Sequence, residues 1–109
     1  MNWIALTTEE QLEVLKELSK QKAQLIFKHS TRCAISSMAK NRLERTSPPN
    51  SIDCYYLDLI KYRQLSAKIA EDFSVFHESP QVLLIKNGEC IYDESHSGIQ
   101  MSDIIEQIA

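Results

Sequence analysis

No stretch of this chain is apolar over the roughly 18 residues that a membrane-spanning helix needs, so no transmembrane anchor is expected. The start, Met1-Asn2-Trp3-Ile4, lacks the charged stretch and apolar core of a secretory leader. These two absences lead to the expectation of a cytoplasmic protein without a membrane partner. A basic excess is missing too. Twelve Lys and Arg stand against 15 Asp and Glu, a formal net charge of −3, which argues against nucleic acid as a partner. There is no Cys-x-x-Cys pair. The three cysteines, Cys33, Cys54 and Cys90, are odd in number and far apart, and in a reducing compartment that speaks against a structural disulfide framework. His29, His77 and His96 are equally scattered. His29 and Cys33 lie four residues apart, but no second pair completes a zinc-type ligand set. No resident metal or cofactor is expected. Internal repeats, low-complexity segments and linkers are absent, and 109 residues make one domain, residues 1–109.

What is present is the composition of an ordinary globular domain, 43% hydrophobic and 25% charged. Thr7 and Thr8 are followed three residues on by Glu10 and Gln11, a capping-box signature. Leu12, Leu15 and Leu18 then recur at helical spacing beside Val14, which predicts a helix over Thr8 to Lys20. Leu25-Ile26-Phe27, within Gln24 to Lys28, shows no alternation and reads as a strand buried on both faces. A helix is predicted over Ser36 to Arg45, with Met38, Ala39 and Leu43 inward, and ends at Pro48-Pro49. Its Lys40, Arg42 and Arg45 read as a solvated face.

Ile52 to Leu59 is rich in strand-favouring residues. Tyr62, Leu65, Ile69 and Phe73 mark the next helix. Val82 to Ile85 is a second apolar strand, and Asn87-Gly88 directly after it is a hairpin signal. The partner strand, Glu89 to Glu94, should place Cys90 and Tyr92 on one face and Ile91 on the other. After Gly98, Ser102-Asp103 caps a last helix with Ile104, Ile105 and Ile108 inward. The order α-β-α-β-α-β-β-α predicts an α/β thioredoxin-like core: a mixed four-stranded sheet with helices on both faces.

Cys33 lies just beyond the first buried strand and at the mouth of the following helix. Unpaired backbone N–H groups and the helix dipole both favour negative charge there, and the thiolate is the reactive form of the side chain. Arg32 adds a fixed positive charge beside it. Three residues on stands Ser36, where a dithiol oxidoreductase would carry its resolving cysteine. A Cys-x-x-Ser site can form a mixed disulfide and needs another thiol to resolve it. Cys54 and Cys90, inside strands, are expected to be core packing. His29 is expected at the strand end, with a tuning role as the alternative. Pro80 precedes a strand, where proline removes no ladder bond.

The stretch His29-Ser30-Thr31-Arg32-Cys33-Ala34-Ile35-Ser36, with Lys28 before it and Ser79-Pro80 ahead of a strand, resembles the monothiol bacilliredoxins. This is the YtxJ-like family of bacillithiol-system redox proteins, which typically carries Thr-Cys-Pro-Ile-Ser. The similarity spans nearly the whole chain. Arg32 stands where the family often has threonine, and Ala34 where it often has proline; the loss of that proline should change local stiffness and reduction potential without removing the nucleophile. The resemblance implies a protein that removes bacillithiol from protein mixed disulfides. Bacillithiol is then an exchanging thiol rather than a bound cofactor. It implies that Cys33 is catalytic, and that Ala34, Ile35, Ser36, Ser79 and Pro80 meet the substrate. In this fold the proline is cis, packs beside the cysteine and leaves the preceding backbone, here Ser79, free to pair with a substrate chain. Arg32 could hold the malate carboxylates of bacillithiol by charge-assisted hydrogen bonds. Two other readings stand beside this one. One is a non-catalytic binding or adaptor module of the same fold. The other is a monothiol glutaredoxin holding an iron–sulfur cluster, a family that usually shows Cys-Gly-Phe-Ser where this chain has Cys-Ala-Ile-Ser.

Overall fold

In a computed structural model that describes residues 1–109, the elements follow the order β1 (Ile4–Ala5), α1 (Glu9–Leu18), β2 (Ala23–His29), α2 (Ala34–Glu44), β3 (Ile52–Asp58), α3 (Arg63–Phe73), β4 (Gln81–Lys86), β5 (Glu89–Ser95) and α4 (Met101–Glu106). The sheet order is β1-β3-β2-β4-β5, with β1, β3 and β2 parallel and β4 and β5 antiparallel. No helix is long and apolar enough to cross a membrane.

Two apolar clusters flank the sheet. On one face Leu25 and Phe27 of β2 pack with Ala39 and Leu43 of α2 and Met101 and Ile104 of α4. On the other, Ile26 of β2 and Leu83 and Ile85 of β4 pack with Leu12 and Leu15 of α1 and Leu65 and Ile69 of α3. Buried on both faces, β2 and β4 cannot alternate, which is why they read as continuous apolar runs. Each fully buried aliphatic side chain contributes roughly 1.5–3 kcal/mol.

Local signals act where they were expected. Thr8 caps α1, its hydroxyl accepting the Gln11 N–H at 3.1 Å, while the Gln11 amide oxygen accepts the Thr7 N–H at 2.9 Å. Asn87 and Gly88 both have positive φ, 54° and 77°, as a tight hairpin turn of matching twist requires. Their N–H groups donate to the carbonyl and hydroxyl oxygens of Ser19, so the turn docks on the end of α1.

Several expectations are corrected. The sheet has five strands rather than four: Ile4 and Ala5 pair with Tyr55 and Tyr56, a strand too short to show a pattern. Met38 is 63% exposed and Val14 and Leu18 are exposed too, because the faces of α2 and α1 turned to the sheet are narrower than their apolar content. Cys90 and Tyr92 do not share a face. A bulge lets Leu84 pair with Tyr92 and Ile85 with Cys90, skipping Ile91, so Cys90 packs with the α1/α3 cluster and Tyr92 with the α2/α4 cluster. The last helix begins at Met101, with Ser102 and Asp103 inside its first turn. Arg42 is not a solvated charge: its guanidinium donates to the carbonyls of Ile99 at 2.7 Å and His96 at 3.0 Å, tying α2 to the 3-10 turn His96–Gly98.

Candidate functional site

Cys33 is the N-cap residue of α2, in extended geometry (φ −111°, ψ 121°) and half-buried. Its N–H closes a tight turn onto the Ser30 carbonyl at 3.1 Å, and its carbonyl accepts the Ser37 N–H at 3.1 Å. The N–H groups of Ala34, Ile35 and Ser36 therefore have no backbone acceptor, and no side chain caps the helix. These free donors and the positive end of the helix dipole surround the residue that carries the sulfur. Such an arrangement suits a sulfur that must carry negative charge while it attacks or leaves.

Ser36 is fully buried. Its hydroxyl accepts the Ser30 N–H at 3.0 Å and shares a 2.6 Å hydrogen bond with His29 Nδ1. The serine thus ties the end of β2 to the first turn of α2, and its bonds go to His29 and Ser30 rather than to Cys33. His29 is held between aromatic rings, 5.6 Å from Phe27 and 5.4 Å from Tyr56 by centroid, and Trp3 stacks on Phe27 at 5.6 Å. Burial pushes the His29 imidazole below its ordinary pKa, and Lys40 pushes the same way.

Arg32, Ala34 and Ile35 are exposed around Cys33, Ile35 by 55%. Arg32 has no ion pair or side-chain hydrogen bond within the protein. The Ser79–Pro80 peptide bond is cis. Antiparallel pairing sets Gln81 opposite Lys28, so Pro80 enters β4 at the end of β2 that leads to Cys33. Ser79 is unpaired throughout: its backbone N–H and C=O have no backbone partner, and its buried hydroxyl has none either.

The other two thiols differ. Cys54 is buried in the α2/α4 cluster and Cys90 is half-buried on β5, donating to the Tyr92 carbonyl at 3.3 Å. Burial pushes both up to about 11, which leaves them weak nucleophiles at neutral pH.

Lys28, which the sequence shows only as the end of a buried strand, is fully buried. Its ammonium donates to the Ser66 carbonyl at 3.0 Å and to His77 Nδ1 at 3.2 Å, and no carboxylate pairs with it. Burial lowers its pKa to about 8. The only sequence signal for this cluster is a lysine directly after an apolar run, since His77 lies 49 residues away.

The family profile described as "Monothiol bacilliredoxin BrxC" matches residues 4–104. Among solved structures, a protein described as a candidate oxidoreductase with a thioredoxin fold is 33% identical, covering 97% of this chain and 93% of its own, with a TM-score of 0.80. A thioredoxin of Malassezia sympodialis (16% identity, 98% and 88% covered, TM-score 0.75) and one of Trypanosoma brucei brucei (10%, 98% and 91%, TM-score 0.76) share the fold.

Proposed function

Because this chain belongs to the monothiol bacilliredoxin family, and is thereby a thiol–disulfide redox protein of thioredoxin fold, we propose that it removes bacillithiol from protein mixed disulfides through Cys33. The Cys33 thiolate attacks the bacillithiol sulfur of the mixed disulfide. A new S–S bond forms to that sulfur as the old one breaks, and the client leaves as a thiolate that takes up a proton. The oxidation level is conserved: the client is reduced and Cys33 is oxidised. A second thiol then attacks the Cys33 adduct, frees Cys33 and leaves with bacillithiol as a new disulfide.

The observation that carries this reading is the pairing of a half-exposed Cys33 at an uncapped helix start with Ser36 at the third position on. No intramolecular disulfide can close across that turn. The other cysteines are withdrawn into the core or held protonated. The unpaired backbone of Ser79 suits a substrate chain laid against the loop that leads into β4. Ala34, Ile35 and Arg32 form the exposed rim that meets the adduct, and Ser36 supports the turn from beneath.

Mixing the reduced protein with a bacillithiolated client and mapping adducts by mass spectrometry tests the proposal. One bacillithiol on Cys33, with the client thiol restored, is expected. A restored client with equal yield from Cys33→Ser overturns it.

A further inference from the structure

A second polar feature lies on the opposite face of the sheet from α2. A cavity of about 290 Å³ is lined by Leu59, Arg63, Ser66, Ala67 and His77. No acidic residue lines it. Arg63 has no ion pair or side-chain hydrogen bond within the protein. Behind the wall lies the Lys28 ammonium, bonded to two of the lining residues, Ser66 and His77. An ammonium only donates, so His77 Nδ1 accepts and the ring carries its proton on Nε2, leaving that nitrogen as a further donor. Glu78, the next residue, acts on His77 by its charge, but it lies outside the cavity lining and its carboxylate accepts the Ser95 hydroxyl on β5. The cavity wall thus carries a guanidinium and an imidazole N–H, with a buried ammonium behind it, and no carboxylate lines it or pairs with Arg63 or Lys28. Burying such an ammonium without an anion opposes folding, and an anion in the cavity would offset that cost.

The cavity is at the functional end of the sheet. The Leu59 N–H donates to the His29 carbonyl at 3.0 Å. His29 precedes Cys33 by four residues, a span of at most about 14 Å. His77 precedes Ser79 by two.

The geometry points to this cavity as a binding site for the carboxylate of a small molecule, recognised by Arg63 and His77 with Lys28 behind them. Resting on the exchange reading above, that carboxylate is the acidic end of the thiol carried on Cys33. Arg63 supplies a planar two-donor fork and His77 a single donor, which together suit a dicarboxylate better than a lone carboxylate.

The test uses the full chain and L-malate, a dicarboxylate with no thiol, so that binding is read independently of Cys33 chemistry. Backbone and imidazole NMR signals of Arg63, Ser66 and His77 should shift and saturate. Arg63→Gln and His77→Asn, both at the protein surface, should each weaken the interaction about fivefold, as loss of one partly exposed charge contact or hydrogen bond implies. In exchange assays, Arg63→Gln should lower the rate ratio of an acidic to a neutral small disulfide by about the same factor. Flat signals at Arg63 and His77, or equal affinity in Arg63→Gln, overturn the site. An absent Cys33 adduct alongside intact malate binding removes the exchange reading and leaves the site standing. An adduct with an unaltered rate ratio does the reverse.

Discussion

Lys28 and His29 are neighbours on one strand, both buried and both polar, yet they face opposite sides of the sheet and solve burial in different ways. His29 lies under α2 among rings, and its Nδ1 meets the hydroxyl of Ser36. The imidazole is kept neutral, so little charge is desolvated. Every member of that network holds the turn that presents Cys33. Lys28, facing α3, keeps an ammonium in the interior with a carbonyl and an imidazole as its only partners. The first arrangement is what a fold uses to fix a loop. The second costs stability, a cost that an anion held in the neighbouring cavity would offset.

The comparison can be broken from either side. Replacing His29 by Ala should have the largest effect. It opens a cavity between Phe27 and Tyr56 and leaves the Ser36 hydroxyl short of a partner, and it should destabilise the fold by about 2–4 kcal/mol in urea unfolding. Exchange at Cys33 should slow with it, since the turn loses its anchor. Lys28→Met should act in the opposite direction, raising stability by about 1–3 kcal/mol at neutral pH. The pH dependence identifies the cause. Lys28 titrates near 8 in the fold against an ordinary value of 10.5, so between those values the unfolded chain binds more protons. Stability contributed through this group therefore rises with pH across that window. The advantage of Lys28→Met should be complete below pH 8 and should shrink as pH approaches 10.5. A constant advantage would place the effect elsewhere.

Smaller changes sharpen the same contrast. Ser36→Ala leaves the Ser30 N–H and His29 Nδ1 unpaired and should lower stability by about 1–2 kcal/mol. Ser79→Ala removes a buried hydroxyl that has no partner and should be neutral or stabilising by up to about 1 kcal/mol. Thermal or urea unfolding reads both.

Much of this fold is legible in the chain because its signals are local. The Thr8 cap, the Asn87-Gly88 turn, the continuous apolar strands and the helical spacing of Leu65, Ile69 and Phe73 need only near neighbours. So does the placement of Cys33 between a buried strand and a helix. What escaped depends on distant partners or on a shift of register. The strand at Ile4–Ala5 exists only because β3 offers an edge. The bulge that separates Cys90 from Tyr92 leaves no trace in an alternating pattern. Arg42 looks solvated until the chain returns at His96 and Ile99. At the site, Ser36 could be read as a missing resolving cysteine, but its bonds to His29 and Ser30 follow from the turn itself. Lys28 gains its meaning from His77 across the sheet, a contact no window of sequence contains.

Cys33 is central because it alone combines access with a helix start that receives negative charge. Timed labelling of the folded, reduced protein with iodoacetamide, read site by site by mass spectrometry at neutral pH, tests that directly. The account predicts that Cys33 is alkylated first and nearly to completion before Cys54 or Cys90 react. Alkylation of Cys90 or Cys54 at a rate equal to or above that of Cys33 would contradict it.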